Sequence, residues 1–559
     1  MRRASTLPRL VALAALLALG CKPRPAAIDA GAPTDYAWLD GVLPPETERP
    51  RGGGTLVVRA DAEPAGLNLL DDAHQGVWAT RINRNLVYES LLEIDPISFK
   101  LRPLLAENVA VNPDARTFTF RLKQGHQFAD GSPVTAEDVL ASIDAVMTPV
   151  NRTKYWRQRL SNLARWQRKG PLEVEVSFEW AEAMALRSIA TLPIYSRASL
   201  QGDFSKLEPP IGSGPYVPTE WVQGERLVLE RNPLSATPAR LDRIIFRFVK
   251  DAAQAEALLR QGTFDLMTEV SPAAWRAMEK PSPENAWAHS GYHRHLLLLN
   301  NFSYLAWNMR LPVLQPTQTR VAFSHVFPAK KVHEQVDLGL ELPTTCPYYS
   351  GGYGCIPDFP NPKLDAARAR SLLQDAGFSD ADGDGTVELD GAPLKFTFVA
   401  PTEPPRMQKI ARLYAEELRK IGAQMDVEVL EPAKYEARVA AREFGVVGRE
   451  YAVADSETEL WQLLHTSEID GGVNIGAFSH PQVDYVLDSI RWQPGAVRRH
   501  EMERVIHKAT QEAQPFLIIS THPSLDMIKR RVHGLVGAPT WYDLRAAWVV
   551  NERPDAGTP

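Results

Sequence analysis

The chain carries at residues 120–142 the sequence Phe120-Arg-Leu-Lys-Gln-Gly-His-Gln-Phe-Ala-Asp-Gly-Ser-Pro-Val-Thr-Ala-Glu-Asp-Val-Leu-Ala-Ser142. At its start, Phe118, Phe120 and Leu122 alternate with polar residues, the pattern of a half-buried β-strand. Further on, Thr135-Ala-Glu-Asp138 has the spacing of a capping box and predicts a helix that runs to about Met147. This succession of strand and helix indicates an α/β protein.

Residues 395–430 repeat that succession and predict a βαβ unit. Two apolar runs, Phe396–Val399 and Val427–Leu430, flank a helical segment from Arg406 to Ile421. One face of this segment is apolar at helical spacing, at Met407, Ile410, Ala411, Tyr414, Leu418 and Ile421. A crossover helix of this kind connects two parallel strands, and Gly422 ends it.

The composition is that of a large soluble globular protein. Of the 559 residues, 44% are apolar and 23% are charged, which excludes a disordered chain. Lys and Arg number 62 against 68 for Asp and Glu, so the net charge is -6. This balance provides no basic surface for nucleic acid, and no nucleic-acid partner is expected.

Residues 1–20 have the order of a secretory signal peptide. Three arginines precede an apolar run, Leu10–Leu19, which is too short for a membrane-spanning helix, since such a helix needs about 20 residues. Cleavage after residue 20 removes three basic residues and no acidic one. The mature chain then carries 59 basic and 68 acidic residues, a net charge of -9.

The end of this segment, Ala18-Leu19-Gly20-Cys21, resembles a bacterial lipobox, in which the cysteine is lipidated before cleavage. Residues 21–51 are rich in Pro and Ala and are interpreted as a tether. The prediction is a periplasmic protein anchored to the bacterial cell membrane by an N-terminal lipid on Cys21. The alternative is an ordinary secretion signal followed by an incidental cysteine.

The other two cysteines, Cys346 and Cys355, lie nine residues apart in a segment rich in Gly and Pro. Because such a segment can fold back on itself and the periplasm is oxidising, they are predicted to form a disulfide. A metal site is the weaker interpretation, since two isolated cysteines lack further ligands at suitable spacing.

The segment 120–142 resembles the signature of the extracytoplasmic solute-binding proteins of family 5, the peptide, dipeptide and nickel receptors of ABC importers. Further motifs resemble the family in the same order along the chain: Leu101-Arg-Pro-Leu-Leu-Ala-Glu-Asn108, Ile211-Gly-Ser-Gly-Pro-Tyr216, Gln261-Gly-Thr-Phe-Asp-Leu266, Ala369-Arg-Ser-Leu-Leu-Gln-Asp-Ala-Gly-Phe378 and the segment Asn474–Asp484. The resemblance covers about residues 52–550.

This resemblance implies an α/β, two-lobed periplasmic-binding-protein-like fold of the large class C type, with mixed sheets and a hinge between the lobes. Lobe I would comprise residues 52–290, including an inserted subdomain at about 92–210, and the return segment 520–559. Lobe II would comprise residues 291–519. Two strand-like runs, His293–Leu299 and Phe516–Ser520, are the predicted connections between the lobes.

The function implied by the resemblance is capture of a small solute, with a peptide as first choice, and its delivery to the permease subunits of an ABC transporter. No cofactor and no catalysis are implied, and a monomer is expected. Alternatives are a receptor of the same fold for a sugar or a nickel complex, or a periplasmic sensor. A secreted hydrolase is a remote alternative, because the sequence lacks the common nucleophile, zinc and phosphate-loop motifs.

Two residues are the principal candidates for holding a peptide. Peptide receptors of the family use a carboxylate for the ligand's amino terminus, and Asp455 is the nearest candidate, although it could instead cap a helix that begins near Glu457. Dipeptide receptors use an arginine just before the crossover helix for the ligand carboxylate, and Arg406, at the start of that helix, is the candidate, with a solvated surface arginine as the alternative. Further cleft candidates, each with core or surface positions as the alternative, are Arg449, Tyr451, Asn474 and Trp78.

Two groups could bind metal. Asp380, Asp382 and Asp384 alternate before a glycine as in a calcium loop, but position twelve is Gly391 rather than Glu, so a solvated turn is favoured. Three histidines, His289, His293 and His295, could bind nickel, but a structural role is favoured because no Cys or acidic residue lies nearby in sequence.

Overall fold

The computed structural model describes residues 49–550 apart from 96–99, 114, 183, 202–203, 205–208, 349–353, 357–358, 360–361, 453–459, 491–492 and 494–495. The signal peptide, Cys21, most of the predicted tether and Asp455 lie outside the described residues.

The strands, in chain order, are β1 Thr55–Ala60, β2 Leu92–Ile94, β3 Leu101–Pro103, β4 Ala106–Val111, β5 Thr117–Leu122, β6 Leu163–Gly170, β7 Glu173–Phe178, β8 Tyr216–Val222, β9 Arg226–Arg231, β10 Arg243–Phe248, β11 Leu266–Met267, β12 Tyr292–Leu297, β13 Asn301–Trp307, β14 Leu342–Pro343, β15 Glu388–Leu389, β16 Ala392–Pro393, β17 Lys395–Pro401, β18 Gln424–Leu430, β19 Val446–Ala452, β20 Phe516–Thr521, β21 Ser524–Lys529, β22 Val532–His533, β23 Val536–Ala538, β24 Trp541–Asp543 and β25 Trp548–Val549.

The α-helices are α1 Val77–Asn83, α2 Ala136–Met147, α3 Lys154–Arg159, α4 Ala185–Ala190, α5 Ala252–Arg260, α6 Pro272–Ala277, α7 Ala286–Gly291, α8 Thr317–Ser324, α9 Ala329–Lys331, α10 Ala366–Asp375, α11 Arg406–Arg419, α12 Pro432–Ala440, α13 Trp461–Leu464, α14 Pro481–Ile490 and α15 Ala496–Ala513.

Two mixed sheets organise the chain. The first sheet has seven strands in the order β12-β21-β11-β1-β10-β9-β8, and the second has six in the order β14-β20-β13-β19-β17-β18. Each contains both parallel and antiparallel pairs. The predicted α/β fold with two lobes and mixed sheets is confirmed.

The predicted βαβ unit is present in the second sheet. Strands β17 and β18 pair in parallel along their whole length, and α11 connects them. Ile410, Ala411, Tyr414 and Leu418 are fully buried on one face of α11, and burial of each large apolar side chain contributes about 1.5–3 kcal/mol. Gly422 follows with φ +80°, and a Cβ there would lie 2.8 Å from Val387, so this turn requires glycine.

The central strand β13 is buried along its entire length because helices cover both faces of its sheet. Leu305 and Trp307 lie in one core with α11, while Phe302, Tyr304 and Ala306 lie in a second core on the opposite face. This alternation follows from the two-residue period of a strand. Lobe II is therefore a three-layer structure.

An additional sheet, β4-β5-β7-β6, lies within the predicted inserted subdomain. It contains the strand predicted from Phe118, Phe120 and Leu122, and α2 follows with its capping box formed: Asp138 accepts hydrogen bonds from the backbone and hydroxyl of Thr135, at 2.9 and 2.6 Å. The side chains of this sheet are continuous with the core of the first lobe.

The chain passes between the two sheets twice. It leaves β12 of the first sheet at Leu297 and enters β13 of the second at Asn301; it leaves β20 at Thr521 and re-enters the first sheet at Ser524. The first connection lies later than the predicted lobe boundary at residue 291, because all six residues of β12 pair with β21. After β21, the strands β22 to β25 form two short antiparallel pairs, and their side chains join the core of lobe I.

Candidate functional site

A cavity of about 280 Å³ lies where the two lobes meet. Lobe I contributes α1 and the residues after it, together with the segment 538–545. The first interlobe connection contributes residues 299–301, and lobe II contributes Ala452 at the end of β19. The cavity therefore has walls from both lobes and from the connection between them, which is the usual location of a ligand site between domains.

Arg81 of α1 lines this cavity and lies against a pair of tryptophans. Its guanidinium carbon lies 5.0 Å from the ring centre of Trp78 and 5.2 Å from that of Trp541. Its side chain is 11% exposed, and one ion pair of 3.6 Å connects it to Glu269. Burial lowers the pKa of Arg81, against the charges of Glu269 and Asp61.

Trp78, predicted as a cleft residue, supports this wall from behind. It is 5% exposed, its indole N–H donates to Asp61, and its ring packs edge-on against Trp541 at 5.5 Å. Trp78 thus fixes the position of Arg81 and Trp541, which line the cavity.

A second arginine of the wall, Arg545, is neutralised by carboxylates. It lies 2.7 Å from Glu93 and 2.7 Å from Asp543, and Arg102 makes a further 2.7 Å ion pair with Glu93. Burial opposes ionisation of Asp543, but its hydrogen bond and ion pair with Arg545 outweigh burial and lower the pKa of that carboxyl.

A buried polar chain lies behind the cavity at the end of lobe I. The hydroxyl of Tyr542 donates to Asp526 at 2.6 Å and also contacts Nδ1 of His295 at 2.5 Å. Asp526 accepts two more hydrogen bonds, from the Ser524 hydroxyl at 2.5 Å and the Glu269 backbone at 3.2 Å. Burial nevertheless raises the pKa of Asp526 to about 7 and lowers the pKa of His295 to about 4.

Arg406 lies in a buried cluster of lobe II and not on the surface, so the interpretation as a solvated arginine is wrong. Its side chain is 22% exposed and pairs with both oxygens of Asp337, at 2.7 and 3.1 Å. Its remaining donors bond the hydroxyls of Ser303 at 3.1 Å and Ser520 at 2.9 Å, while Glu341 lies 3.7 Å away. Each of the three guanidinium nitrogens of Arg406 therefore has a protein partner.

His522, in the second interlobe connection, belongs to the same cluster. Nδ1 of its ring hydrogen-bonds with Glu341, whose other oxygen accepts from Ser520 at 3.0 Å. Burial lowers the pKa of His522, but the hydrogen bond and charge of Glu341 outweigh it and raise the pKa to about 9.

The remaining predicted site residues of lobe II lie on or near β19. Arg449 pairs with Glu436 at 2.7 Å, and the Tyr451 ring lies 5.6 Å from that of Phe302. Asn474 is 2% exposed, and its amide is occupied by backbone groups: it donates to the carbonyls of Leu464, His465 and Phe478 and accepts from the N–H of Phe478.

The predicted metal-binding residues comprise an acidic group and a histidine group, and of these described side chains only the acidic ones come together. Asp380, Asp382 and Asp384 come together with Glu388, with one ligand atom from each within 4.8 Å of the others. Backbone N–H groups donate to all four carboxylates. Among the described residues no comparable group contains a histidine.

Cys346 and Cys355 are joined by a disulfide bond, with their Cα atoms 5.6 Å apart.

Residues 100–471 match the family described as bacterial extracellular solute-binding proteins, family 5 Middle. The chain belongs to this family. The family 5 solute-binding proteins are extracytoplasmic binding proteins that work with ABC permeases, and the resemblance seen in the sequence is confirmed. Within the described part of the chain, no helix combines the length and the apolar content that crossing a membrane demands.

Individual relatives agree with this membership. The oligopeptide-binding protein AppA of Bacillus subtilis is 23% identical over 493 residues, which cover 84% of this chain and 87% of AppA. The structure of AppA in complex with a nonapeptide has a TM-score of 0.71 at 20% identity and covers 90% of this chain and 100% of AppA. NikA from Brucella suis in complex with Fe(III)-EDTA has a TM-score of 0.77 at 19% identity, covering 89% of this chain and 100% of NikA.

Arg81, Arg84 and Trp541 line the cavity but were not predicted from the sequence. A partial signal was present, because Trp78, Arg81 and Arg84 are spaced three apart and share one face of a helix. The approach of Trp541 had no such signal, since it lies far along the chain in the return segment.

Proposed function

We propose that this family 5 protein captures a small solute, with a peptide as its preferred class, and delivers it to the permease of an ABC importer. The observation that carries the proposal is the cavity between the lobes, with walls from lobe I, lobe II and an interlobe connection. Closing two lobes about such connections encloses a ligand and changes the surface that a permease contacts. The peptide class is supported by AppA, an oligopeptide-binding relative whose structure holds a nonapeptide.

We also propose that residues 1–20 are cleaved as a signal peptide and that Cys21 carries the lipid anchor of a monomeric protein. Support comes from the lipobox-like sequence before Cys21 and from the extracytoplasmic location of the family. Labelling of producing cells with an alkyne fatty acid should mark the wild-type chain. A Cys21→Ser variant should remain unlabelled, and labelling of that variant would contradict the assignment.

Asp455, which lies outside the described residues, remains the predicted partner of a ligand ammonium group. It lies three residues after Ala452, which lines the cavity, and this proximity in sequence supports the assignment. Arg449 and Tyr451 are on the strand that leads to it.

A thermal-shift screen of the purified protein tests the proposal. The panel contains di- to pentapeptide pools, sugars, and nickel with and without histidine. A ligand at 100 times its dissociation constant adds about 2.7 kcal/mol of stability, which is readily visible as a higher melting temperature. We expect peptide pools to raise the melting temperature and Asp455→Ala to reduce that shift.

The same screen includes the competing ligand classes. A response to nickel–histidine or to a sugar, with none to any peptide pool, would keep the receptor function and contradict the peptide class. The absence of a response to every class would contradict solute capture as proposed.

A further inference from the structure

Five charged residues line the cavity between the lobes: Arg81, Arg84, Arg545, Glu93 and Asp543. The two carboxylates are already paired with Arg545, at 2.7 Å each, and Glu93 also pairs with Arg102. The negative charge of this wall is therefore compensated within lobe I. The cavity lining itself thus contains three arginines and two carboxylates.

Arg81 has the features of a preorganised anion site. Its guanidinium carbon lies within 5.2 Å of the centres of two tryptophan rings, and its side chain is only 11% exposed. Its Nε is buried and has no hydrogen-bond partner among the residues that the structure describes. A buried donor without an acceptor costs roughly 1–3 kcal/mol, and a carboxylate that arrives in the cavity would remove that cost.

The nearest acid does not fill this role. Glu269 lies 3.6 Å from Nη2 of Arg81, longer than a charge-assisted hydrogen bond, and it is not part of the cavity lining. The planar fork of a guanidinium matches a carboxylate, which it can bind through two parallel hydrogen bonds.

The arginine predicted from the family resemblance differs in this respect. Nε and Nη2 of Arg406 donate to Asp337, and its other contacts are the hydroxyls of Ser303 and Ser520. A ligand carboxylate at Arg406 would have to displace an existing carboxylate, whereas at Arg81 it would complete an incomplete set of bonds.

We propose that Arg81 binds a carboxylate of the captured solute, so that the preferred ligands are acids and a bound peptide places a carboxylate against lobe I. This inference rests on the proposed peptide function. It moves the expected position of the ligand's carboxylate from Arg406 in lobe II to Arg81 in lobe I.

The test compares peptides that differ in one charge. Equimolar pools of tri- to pentapeptides are prepared with free and with amidated C-termini, and acidic residues are omitted from one set and included in another. Affinity for each pool is measured by isothermal titration calorimetry with wild-type protein, Arg81→Gln and Arg81→Lys.

A matched control is Arg294→Gln. Arg294 also stacks on a tryptophan of lobe I, 5.3 Å from the ring centre of Trp275, but it does not line the cavity. This variant removes an arginine–tryptophan contact without touching the proposed site.

For wild type we expect amidation to weaken binding by about tenfold or more when the pool lacks acidic residues, because a hydrogen bond to a charged group contributes about 1.5–3 kcal/mol. Acidic side chains in the pool should restore binding if they supply the carboxylate instead of the C-terminus. In Arg81→Gln the preference for the acid should disappear, while Arg294→Gln should retain it. Arg81→Lys should discriminate less than wild type, since an ammonium lacks the planar pair of donors.

The remaining outcomes separate the inference from the function on which it rests. Equal binding of acid and amide by wild type, or an undiminished preference in Arg81→Gln, would overturn the role of Arg81 and leave peptide capture intact. If Arg81→Gln does not fold, undiminished discrimination in Arg81→Lys has the same meaning. Failure of every pool to bind wild type would overturn the peptide function and the inference together.

Discussion

The side chain of Asn301 forms two hydrogen bonds with the backbone of His522: Nδ2 donates to the carbonyl oxygen and Oδ1 accepts from the N–H, each at 2.8 Å. Asn301 ends the first connection between the lobes, and His522 lies in the second. One amide therefore joins the two connections at the point where the chain passes from one sheet to the other. Because Asn301 also lines the cavity, this junction lies directly beside the candidate site.

Removal of this junction should loosen both connections. Asn301→Ala leaves a backbone donor and acceptor of His522 without partners, which is expected to cost about 1–3 kcal/mol in the free energy of unfolding. Urea denaturation measures this cost, and hydrogen–deuterium exchange should increase at residues 298–300 and at His522. Asn285→Ala is the control, since Asn285 also donates to two backbone carbonyls but lies away from the connections. Faster exchange at the connections in the control, or unchanged exchange in Asn301→Ala, would contradict the role of the junction.

His522 should make stability depend on pH in the alkaline range. Its pKa is raised from the ordinary 6.5 to about 9 by Glu341, so the folded state retains a proton that the unfolded state releases. The resulting stabilisation is complete below about pH 6.5 and is lost as the pH rises through about 9. Its side chain is 40% exposed, and solvent screening limits the effect to about 1 kcal/mol.

Melting temperatures between pH 6 and 10 check this expectation. The difference between wild type and His522→Gln should be largest at pH 6 and should shrink by pH 10. A difference that is constant across this range would show that the imidazole charge does not contribute.

Local patterns predicted the elements of the fold because their information lies within a few residues. The capping box at Thr135, the apolar face of α11 and the glycine turn at Gly422 were all predicted in place. Such local patterns do not specify which strands pair when they lie far apart in the sequence. Whether the strand His293–Leu299 ends lobe I or begins lobe II depends on its partner β21, more than 220 residues later.

The contacts that define the candidate site also join residues that are far apart in the sequence. The family resemblance directed attention to Arg406, but its pairing with Asp337, 69 residues away, is invisible in the sequence. Arg81 gains its significance only when Trp541 brings its ring centre to 5.2 Å from the guanidinium carbon. Charge compensation, and not the presence of an arginine, distinguishes these two positions, and it is a property of the folded chain.

Asp526 should produce a pH dependence of the same sign as His522, but in a lower range. Burial raises its pKa from 3.8 to about 7, so the folded state takes up a proton that the unfolded state lacks at these pH values. The contribution of Asp526 to the free energy of unfolding should therefore be greatest below about pH 4 and fall as the pH rises through 7, by at most about 4 kcal/mol. Asp526→Asn, which mimics the neutral form, should flatten this slope and be more stable than wild type at pH 8. Asp242→Asn is the control, because that carboxylate is 63% exposed. An unchanged slope in Asp526→Asn would contradict the assignment.

Arg406 should contribute more to stability than to ligand binding. The side chain of Asp337 is only 2% exposed, so Arg406→Ala leaves a buried carboxylate without its cation, and breaking such a pair costs about 3–5 kcal/mol. Adding Asp337→Asn should recover part of this loss, because the uncompensated charge is then removed.

Arg449→Ala provides the comparison: its partner Glu436 is 60% exposed, and loss of that ion pair should cost no more than about 1 kcal/mol. Urea denaturation of the three variants gives the free energies of unfolding. If Arg406→Ala is as stable as wild type but binds peptide acids weakly, the buried pair is not structural, and Arg406 rather than Arg81 holds the carboxylate.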